Sequence, residues 1–311
     1  MLRAFLTYFS KQARYILPVG VFIGVLLPDL AQLLRPLLVP VILVMLSGAL
    51  LGLNWRALGA YGRRFGIGLG LFAWQLIASP LLVGAGTALL GLPPELSLAL
   101  ILNASAPPIT ANAVYAQLLD LDAPLAVYCI VLTTLLLPLT LAPVTAMLLE
   151  SAMALDTGLF FLRVTAFIGG PFLIAAALRR CLGSEFIVHN AGAINGLNVL
   201  CLLIFAVAVM DGVSARLFAD PAAVARLVIA AFTLNILLHV AGFIAFARAG
   251  TLRALSVAMC SGNRNMGLIL AITTGVVGPD FAIYVGVAQL PMYCVPMMMA
   301  PIARRVVATD P

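Results

Sequence analysis

Apolar residues fill almost the whole chain in stretches of about twenty, separated by short segments that carry most of the charges. A helix needs about 20 apolar residues to cross the hydrocarbon of a bilayer. The pattern therefore predicts an all-α membrane protein with ten spans, near residues 15–28, 36–54, 67–90, 95–118, 124–149, 158–180, 190–212, 222–247, 252–277 and 281–302. Since ten is even, both chain termini are expected on the same side of the membrane.

Polar and helix-breaking residues interrupt two of these spans. The fourth contains paired prolines within residues 103–108, and each proline removes a backbone donor and clashes with the preceding turn. The ninth contains Gly-Asn-Arg-Asn-Met-Gly at 262–267, where glycine and asparagine weaken a helix. A plainer interpretation is a proline kink in one span and a small-residue packing face in the other.

The two interruptions match if the chain is one membrane domain (1–311) made of two inverted five-helix repeats, 1–149 and 158–302. The fourth and ninth spans are then counterparts. Two interrupted helices in matching positions are the usual sequence sign of a transporter binding site. Their free N-terminal ends suit an anion, and their C-terminal ends suit a cation.

The composition agrees with a membrane protein, since 64% of the residues are hydrophobic and only 9% are charged. A soluble domain has about 25% charged residues. The net charge of +6 is spread over many loops and forms no basic stripe, so no nucleic-acid partner is expected.

The distribution of basic residues predicts the orientation. Three arginines lie in loops on the side away from the termini, and twelve of the 17 basic residues lie on the terminal side: Arg3, Lys11, Arg14, Arg56, Arg63, Arg64, Arg179, Arg180, Arg248, Arg253, Arg304 and Arg305. Because cytoplasmic loops carry the excess of Lys and Arg, both termini are predicted in the cytoplasm, with the protein in a bacterial inner membrane.

Arg264 lies in the middle of the ninth span, whereas the acidic residues fall in loops or at span edges. A buried arginine at this depth needs a partner. Backbone carbonyls at a helix break, neutral amides or an anionic substrate can fill that role. The sequence contains no catalytic pair, metal-ligand cluster or phosphate loop, so no enzyme and no cofactor are predicted.

At these residues the chain resembles the bile acid:sodium symporter family. The resemblance is strongest at Gln75–Pro80, Ser105–Val127, Thr133–Pro138 and Met259–Gly267. It implies ten helices in two inverted repeats, with broken fourth and ninth helices that cross in a core domain. It also implies transport of organic anions such as bile acids, steroid sulfates, pantoate and other carboxylates.

The resemblance also implies where the substrate binds. Thr110 and Asn265 match positions at which family members hold the anion, and Pro108, Ile109 and Asn112 lie beside them. A hydroxyl and an amide at the N-termini of half-helices are suitable donors to a carboxylate.

The implied cation site departs from the family pattern. Cys260 stands where the family has a sodium-binding glutamate, and Arg264 stands where it has a glutamine. Gln75 and Thr133 stand where the family resemblance implies sodium ligands. Asn112 and Ala113 align with a serine–asparagine pair of the family. Asn263 lies beside Arg264 in the sequence. A guanidinium repels a cation and fills its volume. Arg264 is therefore predicted to replace the sodium ion, with Gln75 accepting from it; the rival hypothesis is that Arg264 binds the substrate directly.

The sequence thus favours a monomeric, sodium-independent secondary carrier of a small organic anion. One alternative keeps sodium coupling through Gln75, Thr133 and backbone oxygens, and another is an anion sensor that does not transport. Arsenite exporters fit less well, because the cysteine expected in the fourth span is absent. His239 is the candidate titrating group for proton coupling.

Overall fold

A computed structural model describes residues 2–11, 13–52, 59, 61–149 and 157–309, and the regular elements of that part are all helices. They are α1 (Leu2–Lys11), α2 (Ala13–Leu26), α3 (Pro28–Leu34), α4 (Leu38–Leu51), α5 (Phe65–Phe72), α6 (Ser79–Leu89), α7 (Pro94–Ser105), α8 (Ala111–Leu118), α9 (Ala123–Leu149), α10 (Thr157–His189), α11 (Ala191–Ala208), α12 (Val213–Ala219), α13 (Pro221–Phe246), α14 (Thr251–Gly262), α15 (Met266–Thr273) and α16 (Pro279–Thr309).

Seven helical segments of the described chain are long and apolar enough to cross a membrane: Pro28–Leu51, Phe65–Leu89, Ala123–Leu148, Gly158–His189, Ala191–Ala219, Pro221–Ala249 and Pro279–Pro301. The all-helical, multi-pass prediction is therefore confirmed. The other three predicted spans are shorter pieces, because the fourth and ninth are each divided into two half-helices and α2 has 14 residues. Residues 53 and 54 of the predicted second span, and Arg56, lie outside the described residues.

The helices pack in two groups. In the first group, α1, α2, α4 and α10 surround α11. In the second, α5–α9 and α13–α16 pack on one another, with α13 against α14 as the most extensive contact. The two groups meet where α9 packs on α10 and where α4 lies against α15.

The first two helices run along α11 in the same chain direction. Gly196 lies against the backbone of Leu6 near the start of both segments, and Gly24 lies against Met210 near their ends. A side chain at either glycine would overlap the facing helix. Glycine thus permits close backbone approach, as small residues do in membrane bundles.

The segment between α5 and α6, Ala73–Ala78, is a π-helical turn that contains Gln75. Such turns widen the helix locally and frequently occur at functional sites. Pro80 follows at the start of α6 and has no backbone donor. This irregular stretch faces the two interrupted helices, and it brings Gln75 to the candidate site.

Candidate functional site

The two interrupted helices cross at their breaks. α7 ends at Ser105 and α8 begins at Ala111, while α14 ends at Gly262 and α15 begins at Met266. The two unwound segments pair as a short antiparallel bridge between Pro108 and Arg264. Ile109 N donates to Asn263 O at 3.0 Å, and Asn265 N donates to Pro107 O at 2.7 Å. Each break therefore satisfies backbone groups of the other, as irregular backbone at membrane depth requires.

Three asparagines extend this pairing. Asn112 Nδ2 donates to Asn263 O and Asn263 Nδ2 donates to Asn112 Oδ1, both at 3.1 Å. Asn235, on α13, donates to Gly262 O at 2.9 Å and to Asn263 Oδ1 at 3.3 Å. The amides therefore connect α8, α13 and the break of the ninth span without any charged group.

The Arg264 side chain turns into the protein behind this crossing, and the residue is 2% exposed. Its Nε donates to Ser261 O at 2.6 Å, and its Nη1 donates to Ala106 O at 2.8 Å and to Gln75 O at 3.2 Å. Its Nη2 donates to the Ser79 hydroxyl at 2.9 Å. One guanidinium thus collects three main-chain carbonyls and one hydroxyl, from both interrupted helices and from the π-helical segment.

The charge of Arg264 is balanced by dipoles. Ala106 and Ser261 belong to the C-terminal ends of α7 and α14, where the helix dipole is negative. Within the described part of the chain, Arg264 does not take part in the ion pairs Arg35–Asp211 and Arg253–Asp122. Of the three kinds of partner considered for Arg264 (backbone carbonyls at a helix break, neutral amides or an anionic substrate), the contacts with Ala106 and Ser261 belong to the first.

A cleft adjoins the crossing, between the two helix groups, and Arg264 is among the residues that line it. Ile109, Thr110 and Asn265 line it from the crossing, and Leu46 and Phe205 face them from α4 and α11. Its free volume is about 40 Å³, which holds a few water molecules at most. A molecule much larger than water fits in this cleft only if the two helix groups separate.

Two polar side chains of the cleft stand at half-helix N-termini. Thr110 is the N-cap residue of α8 and makes no side-chain capping bond. Asn265 caps α15, because its Oδ1 accepts from Leu268 N at 3.1 Å, and its Nδ2 has no partner in the described part of the chain. Both therefore have donors available in a region of positive helix dipole.

The remaining predicted residues lie in the interior. Cys260 and Cys129 are both completely buried, and the Thr133 hydroxyl donates to Cys129 O at 2.7 Å. Asn112 is also completely buried in the crossing and does not line the cleft. The Gln75 main-chain carbonyl accepts from Arg264, whereas its side-chain Oε1 has no hydrogen-bond partner.

Sequence reasoning missed several groups that hold Arg264. Carbonyls at a helix break were expected in general, but those of Ser261 and Ala106 in particular were not predicted, because main-chain atoms have no signature in a sequence. Ser79 lies within a segment that resembles the family, but its hydroxyl had no assigned role. Trp74 was also missed; its indole donates to the Ser261 hydroxyl at 2.8 Å, beside the Arg264 contacts.

Multiple membrane-crossing helices and the absence of strands in the described chain define a multi-pass membrane protein. The family model for the Sodium Bile acid symporter family matches residues 39–218, more than half of the sequence. The chain belongs to this family, as its resemblance predicted, and is thus a membrane transporter of the bile acid symporter type. The match includes the break of the fourth span and ends before Arg264. Among the curated proteins, no match was found.

Proposed function

We propose that the protein is a secondary transporter of small organic anions that works without sodium, and that Arg264 replaces the ion. The supporting observation is the set of contacts made by the guanidinium, which joins carbonyls of Ser261, Ala106 and Gln75. A bound cation at such a site would attract the same partial negative charges. Arg264 supplies that charge permanently.

The residues around Arg264 favour this proposal over sodium coupling. Sodium prefers oxygen ligands, and the carboxylate expected from the family resemblance is replaced by the Cys260 thiol. The Thr133 hydroxyl already donates to its own helix. A sodium ion here would also lie beside a guanidinium in a medium of low dielectric constant, where like charges repel strongly.

The substrate is proposed to bind in the cleft, with its anionic group near Thr110 and Asn265 and its apolar part between the two helix groups. Pro108 and Ile109 hold these donors in place, and Asn112 supports them from behind. The rival hypothesis, in which Arg264 contacts the anion, requires it to leave four hydrogen bonds. Leaving buried carbonyls unpaired is costly, so a supporting role is favoured.

The proposed architecture has ten spans in two inverted repeats, 1–149 and 158–302, with both termini in the cytoplasm of a bacterial cell. The parallel course of α1 and α2 along α11 supports it. In a ten-span chain the first and seventh spans run in the same direction. The two interrupted helices, which meet at their breaks, also support repeat symmetry.

The absence of a coupled cation has a thermodynamic consequence. Bringing an anion into a cell with a negative interior costs about 2.3 kcal/mol of electrical work per charge for each 100 mV of membrane potential. A fixed arginine does not change this work, because it is not released with the substrate. The proposed modes are therefore facilitated diffusion, exchange or export of the anion.

Proteoliposomes test the proposal. Purified protein is reconstituted, and entry of a labelled bile acid and of labelled pantoate is measured with sodium or with N-methylglucamine outside. Equal saturable entry in both media is expected. Strict dependence on a sodium gradient would support the symporter alternative, and binding without counterflow of labelled substrate would support the sensor.

A further inference from the structure

A second cavity, separate from the cleft, opens on the side of the second helix group. It runs between α6, α7, α13 and the beginning of α16, and its volume is about 710 Å³. Cavities of roughly 300–1,000 Å³ are large enough to enclose a drug-sized ligand. We name it the lateral groove.

The walls of the lateral groove are aliphatic and open to the side. Leu82, Ile229 and Leu237 line it and are each more than half exposed. On α13 the lining extends from Ala223 to Ala241, which at 1.5 Å per residue is about 27 Å of helix. One leaflet of hydrocarbon is about 15 Å thick. The groove can therefore hold an extended acyl chain that enters from the bilayer.

Charged residues lie at one end of the lateral groove. Glu95 and Asp280 are in the first turns of α7 and α16, Arg216 is in α12, and Arg226 is near the start of α13. All four are exposed, and none forms an ion pair within the described residues. This end of the lateral groove therefore carries two positive and two negative side chains beside an apolar interior.

We propose that the lateral groove binds one bilayer glycerophospholipid with a zwitterionic headgroup. One acyl chain fills the groove, the phosphate lies against Arg216 and Arg226, and the ammonium lies against Glu95 and Asp280. Arginine holds phosphate by paired, charge-assisted hydrogen bonds. A purely anionic headgroup satisfies the arginines but leaves the two carboxylates facing negative charge. This inference does not depend on transport activity.

Two residues that line the lateral groove are also hydrogen-bonded to the interrupted helices. Trp74 and Tyr284 line the groove. The Trp74 indole donates to Ser261, whose carbonyl accepts from Arg264, and the Tyr284 hydroxyl accepts from Asn103 at 2.7 Å. A bound chain therefore packs against residues that hold both interrupted helices.

Lipid titration followed by native mass spectrometry tests the site. Delipidated protein in detergent is mixed with palmitoyl-oleoyl phosphatidylethanolamine, or with phosphatidylglycerol that carries the same chains. One retained phosphatidylethanolamine is expected, with phosphatidylglycerol at least about tenfold weaker because the ammonium contacts are lost. Equal retention of both lipids, or no one-to-one complex, would overturn the proposal.

Two pairs of variants locate the bound lipid. A side chain at Gly86 meets no atom within 4 Å, so Gly86→Phe fills the groove, and Gly170→Phe adds the same bulk at an equally open position outside it. Gly86→Phe is expected to lose the lipid and Gly170→Phe to keep it. Equal retention by the two variants, or displacement of the lipid by a bile acid, would refute the lipid site.

A second pair of variants tests the headgroup contacts, and it tests the lipid site even if Gly86→Phe does not fold. The double variant Arg216→Gln/Arg226→Gln removes the phosphate partners, and Arg180→Gln/Arg248→Gln removes the same charge from exposed positions elsewhere. The first is expected to weaken phosphatidylethanolamine at least about tenfold relative to the second. Equal affinities in the two double variants would contradict the assigned headgroup position.

Discussion

Asn112 and Asn263 hold each other by two hydrogen bonds across the crossing of the interrupted helices, each 3.1 Å long. Both residues are completely buried, so neither amide can exchange its partner for bulk water. This reciprocal pair joins the start of α8 to the end of α14. It helps the two unwound segments to stay together at membrane depth.

A double-mutant cycle measures the coupling free energy between Asn112 and Asn263. Asn112→Ala removes both bonds, whereas Asn263→Ala removes only the bond between the side chains, because the main-chain carbonyl of residue 263 remains as an acceptor. Each change is expected to destabilise the protein, with a coupling free energy of about 1 kcal/mol for the shared bond. Unfolding in mixed micelles gives the values. Asn112→Ala combined with Asn198→Ala, on α11, serves as the additive control. Additivity in the first cycle would mean that the asparagines act independently.

Arg264→Gln places the residue expected from the family resemblance at this position and removes the buried charge. At least one carbonyl among those of Ser261, Ala106 and Gln75 loses its donor, so a loss of about 3 kcal/mol or more is expected. Thermal melting of the purified protein measures it. Arg163→Gln removes a partly exposed arginine with one hydrogen bond, to Thr274 O, and a cation–π contact with Phe167, and it is expected to lower the melting temperature much less. Equal melting of the two variants would contradict the structural role of Arg264.

A sodium site should return when its ligands return. Cys260→Glu with Arg264→Gln supplies the carboxylate and removes the guanidinium, so sodium is expected to raise the melting temperature of this double variant. Cys260→Ser with Arg264→Gln lacks the carboxylate and is the control. Stabilisation of the unmodified protein by sodium, but not by potassium, would show that Arg264 does not exclude the ion.

Gly262 contacts the His239 ring so closely that a methyl group there would overlap it. Gly262→Ala is therefore expected to separate α13 from α14 and to cost about 1–3 kcal/mol. Gly169→Ala is the matched control, because its methyl group meets no atom within 4 Å and alanine favours a helix. Melting curves of both variants test this; a Gly262→Ala protein as stable as Gly169→Ala would show that the contact is easily relieved.

Asn265→Asp keeps the cap of α15, since a carboxylate oxygen can accept from Leu268 N as the amide does. The added negative charge faces the cleft, so anion transport is expected to fall at least about tenfold with little change in melting temperature. Reconstituted uptake of a labelled bile acid measures it. Unchanged uptake would place the anion elsewhere.

Substitutions of Thr110 test the proposed anion contact without adding or removing a charge. Thr110→Val has nearly the same shape but no hydroxyl, and Thr110→Ser keeps the hydroxyl. The first is expected to weaken anion transport about tenfold and the second much less, because the lost contact is a hydrogen bond to a charged group. The same uptake assay compares them. Equal loss in both variants would indicate packing of the methyl group rather than hydrogen bonding.

The sequence by itself determined that this is a multi-pass membrane protein, because long apolar runs have no other stable arrangement. It also located both helix breaks, since paired prolines at Pro107–Pro108 and the Gly262–Gly267 stretch disrupt helices by local chemistry. The position of Arg264 away from every carboxylate in the sequence indicated backbone carbonyls, neutral amides or an anionic substrate as its partners.

Only the tertiary structure decided which oxygen atoms accept hydrogen bonds from Arg264. The carbonyls of Gln75, Ala106 and Ser261 come from three separate segments, and main-chain atoms are identical at every residue type. The structure also directed Asn112 into the crossing while Thr110, two residues earlier, lines the cleft. Side-chain direction at a helix break depends on how two segments cross, and that crossing is set by packing between residues far apart in the chain.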